Sequence, residues 1–354
     1  MDAGGGVSAR TLRTPADLVA AGLVRPGEAA GLEAVALRYA VAVPPAFAAL
    51  IDPDDPADPI AAQVVPTPAE LQTAPAERAD PIGDAAHSPV PGIVHRYPDR
   101  VLLKLIHVCP VYCRFCFRRE VVGPGADATL PAEAVERALR YIEDTPAVWE
   151  VILTGGDPLM LSPRRLGEVM ARLAAIPHVA VVRLHTRVPV ADPERVTPAL
   201  VEALRGFGRA TYVALHANHA RELTVAARSA CVRLIAGGLA MVSQTVLLRG
   251  VNDDVATLGA LMRAFVETRV TPYYLHHGDL APGTAHFRVP LAEGQALVAA
   301  LRGRFSGLCQ PTYVIDIPGG HGKALAAAAS VRLAADAVVV EDFRGGLHRY
   351  PPEG

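Results

Sequence analysis

The sequence contains little of several features that would each indicate a particular class of function. It has five cysteines and one tryptophan in 354 residues, and aromatic residues make up 5% of the chain. A formal net charge of -2 gives no basic field for nucleic acid and no cationic face for a membrane. No run of about 18 apolar residues appears, and the first residues lack the basic and apolar pattern of a leader. We therefore expect a cytoplasmic protein that acts on small molecules.

The cysteines that are present have an informative arrangement. Cys109, Cys113 and Cys116 stand within eight residues, whereas Cys231 and Cys309 stand alone, so a disulfide framework is not expected. Three thiolates at this spacing can hold three corners of an iron–sulfur cube and leave the fourth iron open. The alternatives are a zinc knuckle, which usually has a second close pair of ligands, and three core thiols. The spacing C-x3-C-x2-C resembles the signature of radical S-adenosylmethionine (SAM) enzymes.

The pattern of apolar residues divides the chain into regions. Hydrophobic residues make up 51% of the sequence, enough for one large core or two smaller ones. Residues 1–50 have helical apolar spacing, and the prolines and acids of 52–91 predict an extended arm that wraps the next region. Beyond it, β-rich runs alternate with amphipathic stretches. We predict strands at 101–107, 151–154, 179–185, 211–216, 241–248 and 271–277, and helices near 131–143, 164–175, 195–206, 221–238, 255–268 and 291–304.

Six such βα units predict an α/β fold with a parallel sheet curled into a partial (β/α)6 barrel. Polar residues collect where the strands end, which is the face that carries chemistry in βα barrels. Gly155, Gly156 and Asp157 follow the second strand, where glycines let backbone approach a ligand closely and the acid can order the turn. His216 ends the fourth strand and Gln244 lies in the fifth, and each is also explained as a satisfied polar group of the core.

The tail presents one lysine after an apolar strand and a glycine-rich turn, residues 313–323. A phosphate-binding P-loop is disfavoured, because Ile317 occupies its first glycine position and Ala324 replaces its Ser/Thr. Lys323 on a constrained turn suits a Schiff base with pyridoxal phosphate (PLP), which needs an amine held in one place. A solvated lysine at the start of a helix is the competing interpretation.

Together these motifs resemble the lysine 2,3-aminomutase family over residues 95–349. The matching segments are His-Arg-Tyr-Pro-Asp-Arg at 95–100, the three-cysteine loop with Phe-Arg-Arg at 117–119, Thr-Gly-Gly-Asp-Pro-Leu at 154–159, Ser-Gln-Thr-Val-Leu-Leu-Arg-Gly-Val-Asn-Asp at 243–253, Pro-Tyr-Tyr-Leu-His at 272–276, Ala-His-Phe-Arg at 285–288 and Pro-Gly-Gly-His-Gly-Lys at 318–323. We expect a helical N-terminal region with a Pro-rich arm at 1–90, a radical SAM partial barrel at 91–300, and a C-terminal segment at 301–354 for PLP binding and oligomerisation.

The resemblance also implies a role for each matching residue. The three cysteines hold a [4Fe-4S] cluster, and Gly155, Gly156 and Asp157 form the motif that lines the amino group of SAM. Lys323 holds PLP and Arg118 binds the substrate carboxylate. The remaining matched residues are Arg96, Tyr97 and Arg100 around the PLP phosphate, His216 and Gln244 near SAM, and Asp279 and Asp316 at the far ammonium of lysine.

The two aspartates make L-lysine the expected substrate, because a buried ammonium needs paired opposite charge, whereas glutamate would need cations. Taken singly, Asp279 could cap a turn and Asp316 could order the glycine loop. The implied reaction moves the α-amino group of lysine to the β-carbon, giving β-lysine. A one-electron reductant starts it by reducing the cluster that cleaves SAM.

The chain also departs from the family pattern. The C-terminal cysteines that bind a structural zinc in free-lysine aminomutases are missing, and Asp254 stands near the position of the central one. We predict no zinc and a homo-oligomer. The short form resembles the branch that makes β-lysine for translation elongation factor P, whereas the Pro-Gly-Gly-His-Gly-Lys loop is closer to the free-lysine branch, so the pathway stays open. The alternatives are the same chemistry on glutamate or arginine, and a non-catalytic iron–sulfur protein.

Overall fold

A computed structural model describes residues 10–123, 128–329, 331–333, 338–342 and 344–350. One sheet of nine strands, in the order β1 to β9, forms a nearly closed barrel. Strands β2 to β8 run parallel, while β1 and β9 pair antiparallel at its two edges. The strands are β1 Ile93–Tyr97, β2 Arg100–Ile106, β3 Glu150–Gly155, β4 Val181–Thr186, β5 Ala210–His216, β6 Ala240–Val246, β7 Thr271–His276, β8 Thr312–Ile317 and β9 Gly322–Leu325. This architecture confirms the predicted α/β partial barrel, and β1, β8 and β9 extend it.

Four helices precede β1 in the sequence, and the others lie between consecutive strands from β2 to β8. The helices are α1 Pro15–Ala20, α2 Ala29–Arg38, α3 Pro45–Ala48, α4 Ala61–Val64, α5 Ala132–Glu143, α6 Pro163–Ala174, α7 Val188–Ala191, α8 Pro198–Arg205, α9 Val225–Ala236, α10 Val255–Glu267 and α11 Leu291–Leu301. Side-chain caps explain several starts: Ser162 caps α6, Thr197 caps α8, and Asp254 accepts two amide hydrogen bonds at the start of α10. Each of the six predicted strands and six predicted helices corresponds to one of these elements.

The N-terminal region contains the helices α1 to α4, and the apolar residues of α2 differ in their exposure. Leu32 and Val35 are buried, but Leu37 is 89% exposed. The reason is geometric, since a residue two positions after Val35 points to the opposite side of a helix. Residues from this region, including Leu18 and Phe47, share one hydrophobic core cluster with barrel residues such as Leu103. The division at residues 90 and 300 stays a prediction.

The arm, residues 52–91, is not simply extended. It contains α4 and the 3-10 turns Pro68–Leu71 and Ala85–His87. Asp58 caps the turn before α4, Thr67 forms a capping box with Glu70, and Asp80 accepts from the Ala85 amide at the start of the last turn. Asp58 also forms an ion pair with Arg221 and thereby ties the arm to the barrel.

The C-terminal part continues the barrel sheet and then forms a second one. Strand β8 joins β7, and β9 returns along β8. The last described residues form a separate antiparallel sheet of β10 Val331–Leu333, β11 Val338–Glu341 and β12 Leu347–Tyr350. No helix among the residues with described structure is long and apolar enough to cross a membrane.

Candidate active site

A cavity of about 480 Å³ runs inside the barrel. It reaches from the cysteines after β2 to Asp99, Trp149 and Glu150 at the amino ends of the strands. Fourteen of the fifteen residues predicted for the site line it, and the exception is Gly155. The lining set is Arg96, Tyr97, Arg100, Cys109, Cys113, Cys116, Arg118, Gly156, Asp157, His216, Gln244, Asp279, Asp316 and Lys323. The fold therefore brings residues from both ends of the sequence to one space.

The three cysteines lie in a tightly turned loop directly after β2. The amide of Cys116 donates to the carbonyl of Cys113 over 3.1 Å, and none of the three cysteines forms a disulfide. Burial, followed by the charge of Asp157 and the neighbouring thiols, raises the pKa of Cys109 well above its usual range, and burial together with the Cys113 thiol raises the pKa of Cys116 to about 11. Thiols of this kind become thiolates when positive metal offsets the burial, so the donor set fits an iron–sulfur cluster.

A cluster and a single ion make different demands on these residues. In the part of the chain with assigned structure, no three His, Cys, Asp or Glu side chains converge closely enough for a single metal ion. A cubane cluster instead takes each thiolate on a different iron atom. The expected absence of zinc stays a prediction, and Asp254 serves as the cap of α10.

A buried carboxylate of the arm, Glu70, holds two arginines of the cysteine loop in place. Arg114 donates to Glu70 through Nε at 3.0 Å and Nη2 at 2.6 Å, and Arg119 also pairs with Glu70. Glu70 is fully buried and both arginines are less than a tenth exposed. The sequence analysis missed this network because nothing in the spacing of the acids connects Glu70 with a loop more than forty residues later.

The Gly155-Gly156-Asp157 turn packs against the backbone that leads into the cysteine loop. A Cβ on Gly156 would lie 2.4 Å from the carbonyl oxygen of Val108, and Gly155 has φ +107°. The glycines thus admit neighbouring backbone, and the approach of a ligand at this turn stays a prediction. Asp157 orders the turn as predicted, because it accepts from the Leu159 amide at 3.0 Å, and it also accepts from the Arg187 amide at 2.7 Å and from Thr186 Oγ1 at 2.8 Å. Burial raises the pKa of Asp157 to about 6 against these hydrogen bonds.

Three histidine rings face the cavity with a buried, unpaired nitrogen. The Nε2 atoms of His185, His216 and His276 have no hydrogen-bond partner within the described part of the chain. Burial lowers the pKa of each ring, so all three are neutral near pH 7. Unpaired buried polar atoms are costly, and a bound polar ligand would satisfy them. Gln244 lines the same region, on the strand next to His216.

Lys323 lies on β9, directly opposite Asp316 of β8. Its Nζ is 2.8 Å from Asp316 Oδ1, and His276 Nδ1 is 3.5 Å from Oδ2. Burial alone would raise the pKa of Asp316, but His276 and the charge of Lys323 lower it to about 2. The turn before Lys323 needs glycine, because Gly319, Gly320 and Gly322 all have φ near +90°. The lysine therefore starts a strand instead of a helix.

Asp279 also lies in the cavity wall, but its pKa is shifted in the opposite direction to that of Asp316. Burial, followed by the negative charge of Asp316, raises the pKa of Asp279 to about 7. Among the described residues, no side chain donates to its carboxylate, although its backbone carbonyl accepts from Thr284 Oγ1 at 3.4 Å. An unpaired carboxylate in a cavity wall is suited to bind a cation from a ligand.

The arginines predicted to bind anions are held by acids in this structure. Arg118 donates to Asp84 Oδ2 at 2.9 Å and Arg96 donates to Oδ1 at 3.0 Å. Burial would raise the pKa of Asp84, but Arg118 and its neighbours keep it below its ordinary value. Arg100 pairs with Asp99 and stacks on the ring of Tyr97, 3.8 Å from its centroid. Asp84, an arm residue, was not identified from the sequence.

Residues 103–258 match the profile of the Radical SAM superfamily. The chain is 42% identical over 311 residues to the L-lysine 2,3-aminomutase of Clostridium subterminale, covering 88% of this chain and 74% of that protein. It is 36% identical over 342 residues to the L-lysine 2,3-aminomutase of Bacillus subtilis, with 96% and 72% covered. The chain belongs to the lysine 2,3-aminomutase family.

Family membership confirms the resemblance and makes this chain an enzyme of the isomerase class, a radical SAM aminomutase. The radical SAM domain implies a [4Fe-4S] cluster and SAM. The glutamate 2,3-aminomutase of Clostridioides difficile is also related, at 34% identity over 292 residues, with 82% of this chain and 68% of that protein covered. Among solved structures, a radical SAM methyltransferase from Sphaerobacter thermophilus has a TM-score of 0.44 at 22% identity, covering 65% of this chain and 71% of that one. That similarity is too low to support a conclusion.

Proposed function

We propose that this enzyme is a PLP-dependent lysine 2,3-aminomutase that converts L-lysine to β-lysine. The observation that carries the proposal is the set of residues that line one cavity. They include three thiols, a lysine amine and two carboxylates near that amine. No other lysine lines this cavity in the described chain, so Lys323 is the amine available to a carbonyl cofactor.

The residues divide by the group that each would hold. Cys109, Cys113 and Cys116 would hold the cluster, and Gly156, His216 and Gln244 lie where SAM would bind beside it. Lys323 would hold PLP, with Arg96, Tyr97 and Arg100 at its phosphate. When bound, SAM on the reduced cluster supplies the one-electron chemistry that removes a hydrogen atom, and PLP supplies the conjugated ring that stabilises the adjacent carbon.

Charge in the cavity favours a substrate with a second ammonium group. Asp279 has an unpaired carboxylate, and Asp316 is held by the ammonium of Lys323, which shows the kind of partner that this carboxylate accepts. A substrate ammonium between the two would lower the pKa of Asp279 and keep both acids charged. Arg118 would bind the substrate carboxylate in exchange for Asp84. The one-electron reductant, the homo-oligomer and a link to elongation factor P remain predictions.

The reaction is tested by anaerobic turnover of the cluster-reconstituted enzyme with SAM, PLP, a reductant and L-lysine, separating α- from β-lysine by mass spectrometry. We expect β-lysine from the parent enzyme and none from Lys323→Ala or Cys113→Ala. L-Glutamate and L-arginine are supplied in parallel, and Asp279→Ala is expected to lose turnover of lysine. SAM cleavage with product from glutamate alone would overturn the substrate.

The PLP site has a sharper test because the sequence contains only two lysines, Lys104 and Lys323. Borohydride reduction after incubation with PLP should fix the label on the peptide that contains Lys323. Lys104→Arg should keep that label and its absorbance, whereas Lys323→Arg should lose both. A label that persists in Lys323→Arg would contradict the assignment.

A further inference from the structure

Arg187 connects the cysteine loop with the interior of the barrel. It directly follows β4, is 5% exposed, and donates from Nη1 to the sulfur of Cys113 over 2.9 Å. Its guanidinium also lies 4.8 Å from the ring centroid of Phe47. A permanent positive charge therefore contacts one of the three sulfurs that hold the cluster.

The guanidinium is fixed from its other side by a buried network. Nη2 donates to Glu222 Oε2 at 2.9 Å and to Gln63 Oε1 at 2.5 Å. Glu222 is fully buried and its other oxygen accepts from the amides of Asn218 at 2.8 Å and His219 at 2.9 Å. These bonds leave Arg187 little freedom to turn away from Cys113, and Glu222 offsets part of its charge.

We propose that Arg187 and Glu222 together set the reduction potential of the iron–sulfur cluster through the sulfur of Cys113. Reduction adds negative charge that is shared by the irons and their sulfur ligands. A charged donor on a ligand sulfur stabilises the reduced form more than the oxidised form and raises the potential. Glu222 acts in the opposite sense, because its negative charge partly cancels the field of Arg187. Arg187 is thus a positioning residue that acts through a ligand.

The inference rests on the cluster at the three cysteines and is independent of the proposed substrate. Its test therefore omits SAM, PLP and lysine, so that failure of the lysine reaction and failure of this proposal give different results. The full chain is reconstituted with iron and sulfide under anaerobic conditions. The reduced cluster is then followed by electron paramagnetic resonance during a potentiometric titration.

We expect Arg187→Met to lower the ratio of reduced to oxidised cluster at fixed potential about tenfold, which is about 59 mV for one electron. Arg187→Lys keeps the charge and should lie between this variant and the parent. Glu222→Gln should move the potential in the positive direction. Arg183→Met is the matched control, since Arg183 lies on β4 four residues before Arg187, lines the same cavity and pairs with Glu150 instead of a cysteine. Its potential should equal that of the parent.

Two results would overturn the proposal. One is an unchanged potential in Arg187→Met with a full iron content, which would reduce Arg187 to a structural role. The other is a shift of the reduction potential of Glu222→Gln in the negative direction. Removal of a negative charge should raise the potential, so a negative shift would mean that the charge of Glu222 does not act on the cluster as proposed. If Arg187→Met does not retain iron, the opposite signs expected for Arg187→Lys and Glu222→Gln decide the question.

Discussion

The cysteine end and the lysine end of the cavity are held in place by different kinds of contact. At the cysteine end, Arg114 and Arg119 of the loop pair with the buried Glu70, which comes from the arm. At the lysine end, Asp316 and Lys323 are opposite each other on adjacent strands joined by one short turn. The first end depends on contacts between distant parts of the chain, and the second mainly on a local hairpin.

This difference has a physical consequence for each end. Buried ion pairs lose most when one partner is removed, because the other charge stays behind without water. A partly exposed pair on an edge hairpin loses less, since water can replace the missing partner. The cysteine end should therefore be the more sensitive of the two to single substitutions outside the reacting residues.

The largest effect is expected for Glu70→Gln at the cysteine end. The substitution keeps the shape of the side chain but leaves Arg114 and Arg119 buried without a counter-charge. We expect the free energy of unfolding to fall by about 3 to 5 kcal/mol, together with a lower iron content after reconstitution. Urea unfolding monitored by circular dichroism measures the first and iron analysis the second.

The matched control for Glu70→Gln is Glu168→Gln, which removes an exposed partner of Arg164 on α6. The free energy of unfolding of Glu168→Gln should fall by only about 0.5 kcal/mol, which is the level of a surface pair on a helix. Equal costs for the two variants would remove the distinction between the buried and exposed pairs on which the comparison depends.

A smaller effect with opposite signs is expected for the two aspartates at the lysine end. The pKa of Asp316 is lowered from 3.8 to about 2, so its stabilising contribution is present above about pH 4 and is lost as the pH falls through about 2. The pKa of Asp279 is raised from 3.8 to about 7, so stability is lost as the pH rises from about 4 to about 7. At pH 8, without PLP, Asp316→Asn should be less stable than the parent and Asp279→Asn more stable.

At pH 8 the free energy of unfolding of each variant should differ from that of the parent by on the order of 2 kcal/mol, after allowance for water in the cavity. Urea unfolding of both variants at pH 5 and pH 8 measures them. Asp279→Asn should approach the parent at pH 5, where the parent carboxyl is protonated, while Asp316→Asn should remain destabilised. Loss of stability in Asp279→Asn at pH 8 would mean that this carboxylate has a partner in solution.

The same difference explains how much of the site could be predicted from the sequence. Cysteine spacing, glycine turns and alternating strands are local patterns, so the barrel was predictable from them, and together with the family resemblance they identified fourteen of the residues that line the cavity. The supports of the cysteine end were not, because Glu70 and Asp84 are ordinary acids in a proline-rich arm until the fold places arginines beside them. Arg187 and Glu222 were missed for the same reason, since their contact joins positions 35 residues apart.

The roles of individual glycines show a similar limit. The sequence analysis singled out Gly155 and Gly156 and explained them by the close approach of a ligand, which stays a prediction. The close neighbour is the carbonyl of Val108, which belongs to the chain itself. A pattern can indicate that backbone must pass closely at a position without showing what passes there.

The smallest effect is expected for Tyr97→Phe, which tests a long-range contact at the lysine end. The amide of Lys323 donates to the Tyr97 hydroxyl over 2.7 Å, so an edge residue of β1 holds β9 beside the opposite edge of the sheet. Removal of the Tyr97 hydroxyl should lower the free energy of unfolding by about 1 kcal/mol. It should also speed hydrogen exchange of the Lys323 amide about fivefold. Hydrogen-exchange mass spectrometry of the peptide around Lys323 measures the change. Tyr141→Phe is the control, because it removes the 2.6 Å contact of Tyr141 with His95 and should leave this peptide unchanged. Unchanged exchange in Tyr97→Phe would mean that the hairpin alone positions Lys323, which would make the lysine end entirely local.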